Sequence, residues 1–130
     1  MLKIKVEKRF KKDVERDRRS GKYSQLDFEI LKHIITTLQE EKPVDPIYKK
    51  HPLLGTSKGY EAMHIKSDWI LVFKVEKPFL ILAMIGSHPQ VYKKMKRLNL
   101  LYLTSQYLSY IFFYLYFVFL TKKYFSITSK

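Results

Sequence analysis

The 130-residue chain predicts an α+β domain in which two helices pack on an antiparallel sheet, followed by a separate apolar tail. Three observations carry this prediction. One strand-like segment and two helix-like segments come first. Three short strand-like runs then follow one another across tight turns. After residue 97 the pattern stops, and 98–121 holds no charged side chain.

At the N-terminus Leu2, Ile4 and Val6 alternate with Lys3 and Lys5, the period of a half-buried strand. Residues 7–19 are densely charged, with Phe10 and Val14 four apart. This predicts a solvated helix with few apolar anchors, ended by Gly21. The Lys/Arg run over 8–22 is then a solvated face. Ser24 followed by Asp27 has the spacing of a capping box. Leu26, Ile30, Ile34 and Leu38, flanked by Leu31 and Ile35, form one stripe at helical spacing and predict a second helix. His33 beside that stripe is structural or solvent-exposed.

Residues 42–59 contain Pro43, Pro46, Pro52, Gly55 and Gly59 and predict a long loop, the kind that often carries function. Strands are expected over 60–65, 69–75 and 79–85, with turns at Lys66-Ser67 and Glu76-Lys77-Pro78. These three form an antiparallel meander. Trp69 is expected in the core, not as a stacking platform for a base.

Charge divides the chain into two parts. Residues 1–92 hold 18 Lys/Arg against 12 Asp/Glu, a net +6, whereas 93–130 hold 7 Lys/Arg and no acid, a net +7. A domain at 1–92 and a basic-flanked hydrophobic tail at 93–130 follow. A basic globule suits a polyanion: nucleic acid, an anionic membrane or an acidic protein. With no cysteine, disulfides and thiolate metal sites are excluded. The charged N-terminus is not that of a signal peptide, and a cytoplasmic location is expected.

His51 lies in the loop and His64 on the first strand of the meander. Asp68 follows the next turn, and His88 follows the third strand. The hairpin places His64 and Asp68 at one end, and His88 is within reach of that end. RNA cleavage without a metal needs a base for the 2′-hydroxyl proton, an acid for the leaving 5′-oxygen and cations for the phosphorane. Imidazole suits the proton steps because its pKa lies near neutrality. A carboxylate orients it. Lys49, Lys50, Lys58 and Lys66 are candidate phosphate ligands, acting as point charges. Neither a metal nor a cofactor is expected.

The strings Tyr48-Lys-x-His51-Pro-Leu-x-Gly55-x-x-Lys58-Gly59-Tyr60, His64-Ile-x-x-Asp68-Trp69-x-Leu71 and Gly86-Ser-His88 resemble the YafQ branch of the RelE/ParE toxin superfamily over residues 1–92. The resemblance implies a RelE-like fold and an mRNA interferase of a type II toxin–antitoxin pair. Such toxins cleave mRNA in the ribosomal A site and are neutralised by a small antitoxin. It also implies that His51, His64, Asp68 and His88 match the catalytic positions. Tyr92 falls where an aromatic closes the domain, and it joins the RNA-binding candidates. The chain departs from the pattern at Leu54 and Met84, where Lys and Arg are common, and at Ser57, where Trp is common. Tyr60-Glu61-Ala62 replaces a motif that carries Arg. Three cations are therefore missing, which predicts reduced activity. The alternatives are a catalytically degenerate module that binds antitoxin or RNA, and a basic protein anchored at a membrane.

The uncharged run 98–121 would span about 36 Å as a helix, beyond the ~30 Å hydrocarbon core. Length and flanking lysines make it a transmembrane candidate. It has no Gly or Ala and is rich in Leu, Tyr, Phe, Ile, Lys and Asn. That composition equally fits translation past a lost stop or a frameshift. In water the aromatic, β-prone stretch 110–120 is an aggregation hazard.

Overall fold

The computed structural model describes residues 1–128, and at 56, 98–103 and 124–128 the backbone alone. The last residues of the expected tail, 129–130, and the side chains opening its uncharged run lie outside that description. Five strands form one sheet: β1 (Lys3–Val6), β2 (His51–Pro52), β3 (Glu61–Lys66), β4 (Trp69–Glu76) and β5 (Phe79–Gly86). The helices are α1 (Lys8–Ser20), α2 (Gln25–Gln39) and α3 (His88–Thr128).

The spatial order is β1-β5-β4-β3-β2. The meander β3–β4–β5 is antiparallel, as its short turns require. β1 runs parallel to β5, so the sheet is mixed and not wholly antiparallel. The crossover through α1 and α2 permits this pairing, and side-chain period does not reveal it. β1 is an edge strand. Leu2 beside it is buried, but Ile4 and Val6 stay partly exposed, at 40% and 36%.

Helix boundaries follow from local chemistry. Gly21 ends α1 with φ 70°, a left-handed conformation that suits glycine. Ser24 Oγ accepts from the Asp27 N–H, and Asp27 Oδ2 accepts from the Ser24 N–H, closing the capping box. Of the expected stripe on α2, Leu31, Ile34 and Leu38 are buried, with Ile30 and Ile35 packed beside them. Leu26 is exposed instead, because the first turn turns Asp27 inward.

Alternation along β4 sends Trp69, Leu71 and Phe73 to one face and Ile70 and Val72 to the other. Both faces are buried. The first packs with Phe10, Leu31, Ile34 and Leu38 from α1 and α2. The second packs with Leu53, Ala62, Ala83 and Met84, and with Val91 and Met95 from the first turns of α3. Helices were expected on one face alone, but α3 supplies a cover for the other.

The chain divides into two compact units, Met1–Met95 and Lys96–Lys130. The second unit is helical. Its β-prone aromatic stretch lies in α3, with Tyr110, Phe112, Phe113 and Tyr116 all exposed. Among the described residues no helix is long and apolar enough to cross a membrane. The transmembrane candidate at 98–121 is thus not carried by the structure. Gln106 and the recurring tyrosines dilute the apolar character of the run.

Candidate active site

The second face of the sheet carries the histidine cluster. His51 is the first residue of β2 and pairs with Ala62 of β3. The loop before it is ordered by local bonds. Asp45 Oδ1 accepts from the Ile47 N–H at 3.0 Å, starting a 3-10 turn at Pro46–Tyr48. Lys49 then adopts φ 47°. The Lys49 carbonyl lies 2.8 Å from His51 Nδ1. A carbonyl only accepts, so Nδ1 carries the proton and Nε2 is the acceptor of neutral His51.

His64 sits on β3, two residues from Ala62 on the same face. Its ring centroid is 5.6 Å from that of His51 and 5.2 Å from that of His88. His64 is therefore the middle of a row of three imidazoles. Burial, then the neighbouring His88, His51 and Lys49 charges, push its pKa below the ordinary histidine value. Neutral imidazole is favoured there at physiological pH.

His88 opens α3. Ser87 precedes it as the N-cap: the Gln90 N–H points at Ser87 Oγ, and the Ser87 N–H donates to Gln90 Oε1 at 2.9 Å. This reciprocal box was readable as Ser-x-x-Gln but went unread in the sequence. Asp68, in the β3–β4 turn, accepts at Oδ1 from both the His88 N–H and His88 Nδ1, each at 2.8 Å. The carboxylate thus satisfies one of the orphan amides at the helix N-terminus while fixing the imidazole. The His88 N–H first, then its side chain, hold the Asp68 carboxyl below its ordinary pKa. With Nδ1 committed to Asp68, Nε2 is the His88 ring nitrogen outside that pair.

The remaining candidates separate. Tyr92, one turn along α3, lies parallel to the His88 ring with centroids 6.0 Å apart. Lys49 is near enough to act on His64, and Lys50 is exposed beside His51. Lys58 is exposed at the end of a second 3-10 turn, Gly55–Ser57. Lys66 is drawn elsewhere: its Nζ donates to Asp27 Oδ2 at 2.9 Å, so α2 holds it as a structural partner. Met84, where a cation was missing, is buried in the apolar cluster under this face, whereas Leu54 is almost fully exposed.

Trp69 is buried, with Tyr23 stacked on it at 4.2 Å and Phe28 edge-on at 5.2 Å. The sequence reading missed Asp13 and Asp17. Both are buried on α1, in a segment whose charge density pointed to solvent. Their spacing of four, on the side of the helix that carries Phe10 and Val14, was the available signal.

The family described as "Bacterial toxin of type II toxin-antitoxin system, YafQ" matches residues 2–93. The mRNA interferase toxin YafQ of Escherichia coli strain K12 is 36% identical over 67 residues, which are 51% of this chain and 73% of that protein. The E. coli DinJ-YafQ complex contains a chain 31% identical with a TM-score of 0.63, matched over 71% of this chain and 99% of its own length. A metal-bound toxin from Helicobacter pylori is 34% identical with a TM-score of 0.63, matched over 69% of this chain and 98% of its own. Among the described residues here, no group of three His, Asp or Glu side chains is placed to hold a metal ion.

Proposed function

From the premise that this chain belongs to the YafQ family of bacterial type II toxins, we propose that it is an mRNA interferase that cleaves mRNA on the ribosome by acid–base catalysis. The observation that carries the reading is the row His51–His64–His88 with Asp68 bonded twice to His88.

The mechanism follows from the tautomers and the shift. His64, favoured neutral, takes the proton from the 2′-hydroxyl of the nucleotide before the scissile bond. The 2′-oxygen attacks phosphorus, the P–O5′ bond breaks, and a 2′,3′-cyclic phosphate forms. His88, fixed at Nδ1 by Asp68, delivers a proton from Nε2 to the leaving 5′-oxygen. Lys49, near His64, supplies positive charge to the phosphorane, and His51 flanks His64 in the row. Lys50 and Lys58 add to the phosphate field, and Tyr92 offers a ring surface next to His88 for a base. Buried Met84 and acidic Glu61 supply no positive charge at the positions where Arg is common, so the rate falls below that of a site with those arginines.

A small antitoxin protein neutralises the toxin, as DinJ pairs with YafQ in the solved complex. Its site of action is the cytoplasm, where ribosomes translate. Primer extension on mRNA from a translating lysate tests the assignment. The full chain produces discrete cleavage ends, and His51→Ala, His64→Ala and His88→Ala each weaken them. Equal cleavage by the wild type and all three variants would refute it.

A further inference from the structure

Asp68 and His88 both lie just beyond the end of the β4–β5 ladder, whose last rung pairs Ile70 with Gly86. Strand pairing alone therefore stops short of them. α1 grips both chains at that point. Asp17, buried, accepts at Oδ2 from Trp69 Nε1 at 2.9 Å, and Trp69 is the residue after Asp68. Asp13, also buried, accepts at Oδ2 from the Ile85 N–H at 3.2 Å, while Arg16 Nη2 donates to the Ile85 carbonyl at 3.0 Å. Ile85 lies three residues before His88.

β1 ends at Val6, opposite Leu82, so among the described residues no strand pairs the outer edge of β5 at Ile85. Asp13 and Arg16 supply the acceptor and donor that a strand would have supplied there. Gly86 belongs to the same device. A Cβ on it would stand 3.0 Å from Arg16 Nη2 and 2.8 Å from Gln90 Oε1. The two grips are tied together, because Arg16 donates from Nε to Asp17 Oδ1 at 3.0 Å and from Nη1 to Asp13 Oδ1 at 2.8 Å. Lys94 of α3 also donates to Asp13. Burial keeps both carboxylates away from any substrate. They pack with the α1 side of the sheet, opposite the imidazoles.

We propose that Asp13, Arg16 and Asp17 are positioning residues that hold the start of β4 and the end of β5 in the register that joins Asp68 to His88. The proposal rests on the reading of Asp68 and His88 as the catalytic pair. A charged, hydrogen-bonded anchor suits this task, because its geometry is more exacting than that of an apolar contact. Catalytic groups must be held to within about 0.5 Å, and a misplacement of about 1 Å can cost on the order of a hundredfold in rate.

The test uses the full chain and three variants: Trp69→Phe, Asp17→Ala and Asp17→Asn. Trp69→Phe keeps a ring in the core and deletes the Nε1 donor. Cleavage on translating ribosomes is separated into kcat and KM, and the His88 backbone amide is followed by NMR. The expected result is a fall in kcat of about tenfold to a hundredfold with KM unchanged for Trp69→Phe and Asp17→Ala. The His88 amide loses its exchange protection in parallel. Asp17→Asn recovers much of kcat, because its amide oxygen still accepts from Trp69. Should Asp17→Ala fail to fold, Trp69→Phe decides alone. Unchanged kcat and an unchanged His88 amide in Trp69→Phe, even with a lowered melting temperature, would overturn the proposal and leave a purely structural anchor. His88→Ala in the same assay separates the two failures: full activity there would sink the catalytic reading, while the amide measurement still decides the positioning.

Discussion

Two runs of similar apolar character meet different fates in this chain. In β5, Leu80, Leu82, Ala83 and Ile85 are at most 3% exposed. In α3, Tyr110, Phe112, Phe113 and Phe119 are 65–77% exposed. Hydrophobicity alone does not separate them. β5 has strand partners on both edges and an apolar cluster on each face. The second unit carries its aromatic residues around the whole helix, so no single stripe faces a core. Burial follows from complementary partners, and the composition of a segment does not supply them.

Substitutions break or sharpen this contrast. The largest effect is expected at the site, where loss of a general acid or base typically costs about 10²–10⁴-fold. His88→Ala in the full chain is predicted to fall in that range by single-turnover cleavage. Deletion of Lys96–Lys130 should leave the cleavage rate within about twofold, since the imidazoles, Asp68 and their supports all belong to Met1–Met95. A dead truncation would show that the second unit takes part in function.

Stability gives the next contrast. Phe73→Ala opens a cavity in the core and should cost about 3–5 kcal/mol in urea unfolding. Phe112→Ala, on an exposed helix face, should change the same quantity by less than about 0.5 kcal/mol. Similar costs at the two positions would mean that the second unit is packed in solution.

Asp27 predicts a smaller, pH-dependent effect. Lys66 first, then the Ser24 N–H, hold its carboxyl below the ordinary carboxylate pKa. A folded-state pKa below the unfolded one gives stability that is fully present above the unfolded value, about 3.9. That stability is lost as pH falls through the lower folded value. Asp27→Ala should cost about 1 kcal/mol at neutral pH and lose its penalty in acid. A penalty constant down to the acid transition would contradict the assignment.

The smallest shift concerns His64. Its pKa is lowered by burial and then by His88, His51 and Lys49. Lys49→Gln removes the weakest of these causes, so the His64 pKa should rise. As a base, His64 works when neutral, and the acidic limb of kcat/KM should therefore move to higher pH. A limb unmoved by Lys49→Gln, with the His64 resonance shifted in NMR titration, would assign the base elsewhere.

The sequence showed what depends on local spacing. The capping box at Ser24 and Asp27, the stop at Gly21 and the meander are all local signals. The tight turn between β3 and β4 brought Asp68 to the His64 end. It did not show what depends on distant partners. The parallel pairing of β1 with β5 comes from a crossover of two helices. β2 is two residues long and forms because Leu53 and Tyr60 close the loop behind it, at 2.9 Å from N–H to carbonyl. Lys66 looked like a phosphate ligand because its partner Asp27 lies 39 residues away. Asp13 and Asp17 looked solvated among so many charges, yet they bind Ile85 and Trp69 across the core. In 110–120 the β-prone side chains gave way to the helical periodicity of backbone hydrogen bonding in α3.

The central claim is that the imidazole row of the first unit cleaves RNA by attack of its own 2′-hydroxyl. The most direct measurement uses a translating ribosome programmed with an mRNA whose cleavage position has been mapped. A second mRNA carries a single 2′-deoxynucleotide just before the scissile phosphate. The account predicts a 2′,3′-cyclic phosphate end on the first mRNA and no cleavage at that bond in the second. Cleavage of the deoxy-substituted bond at an undiminished rate would contradict it.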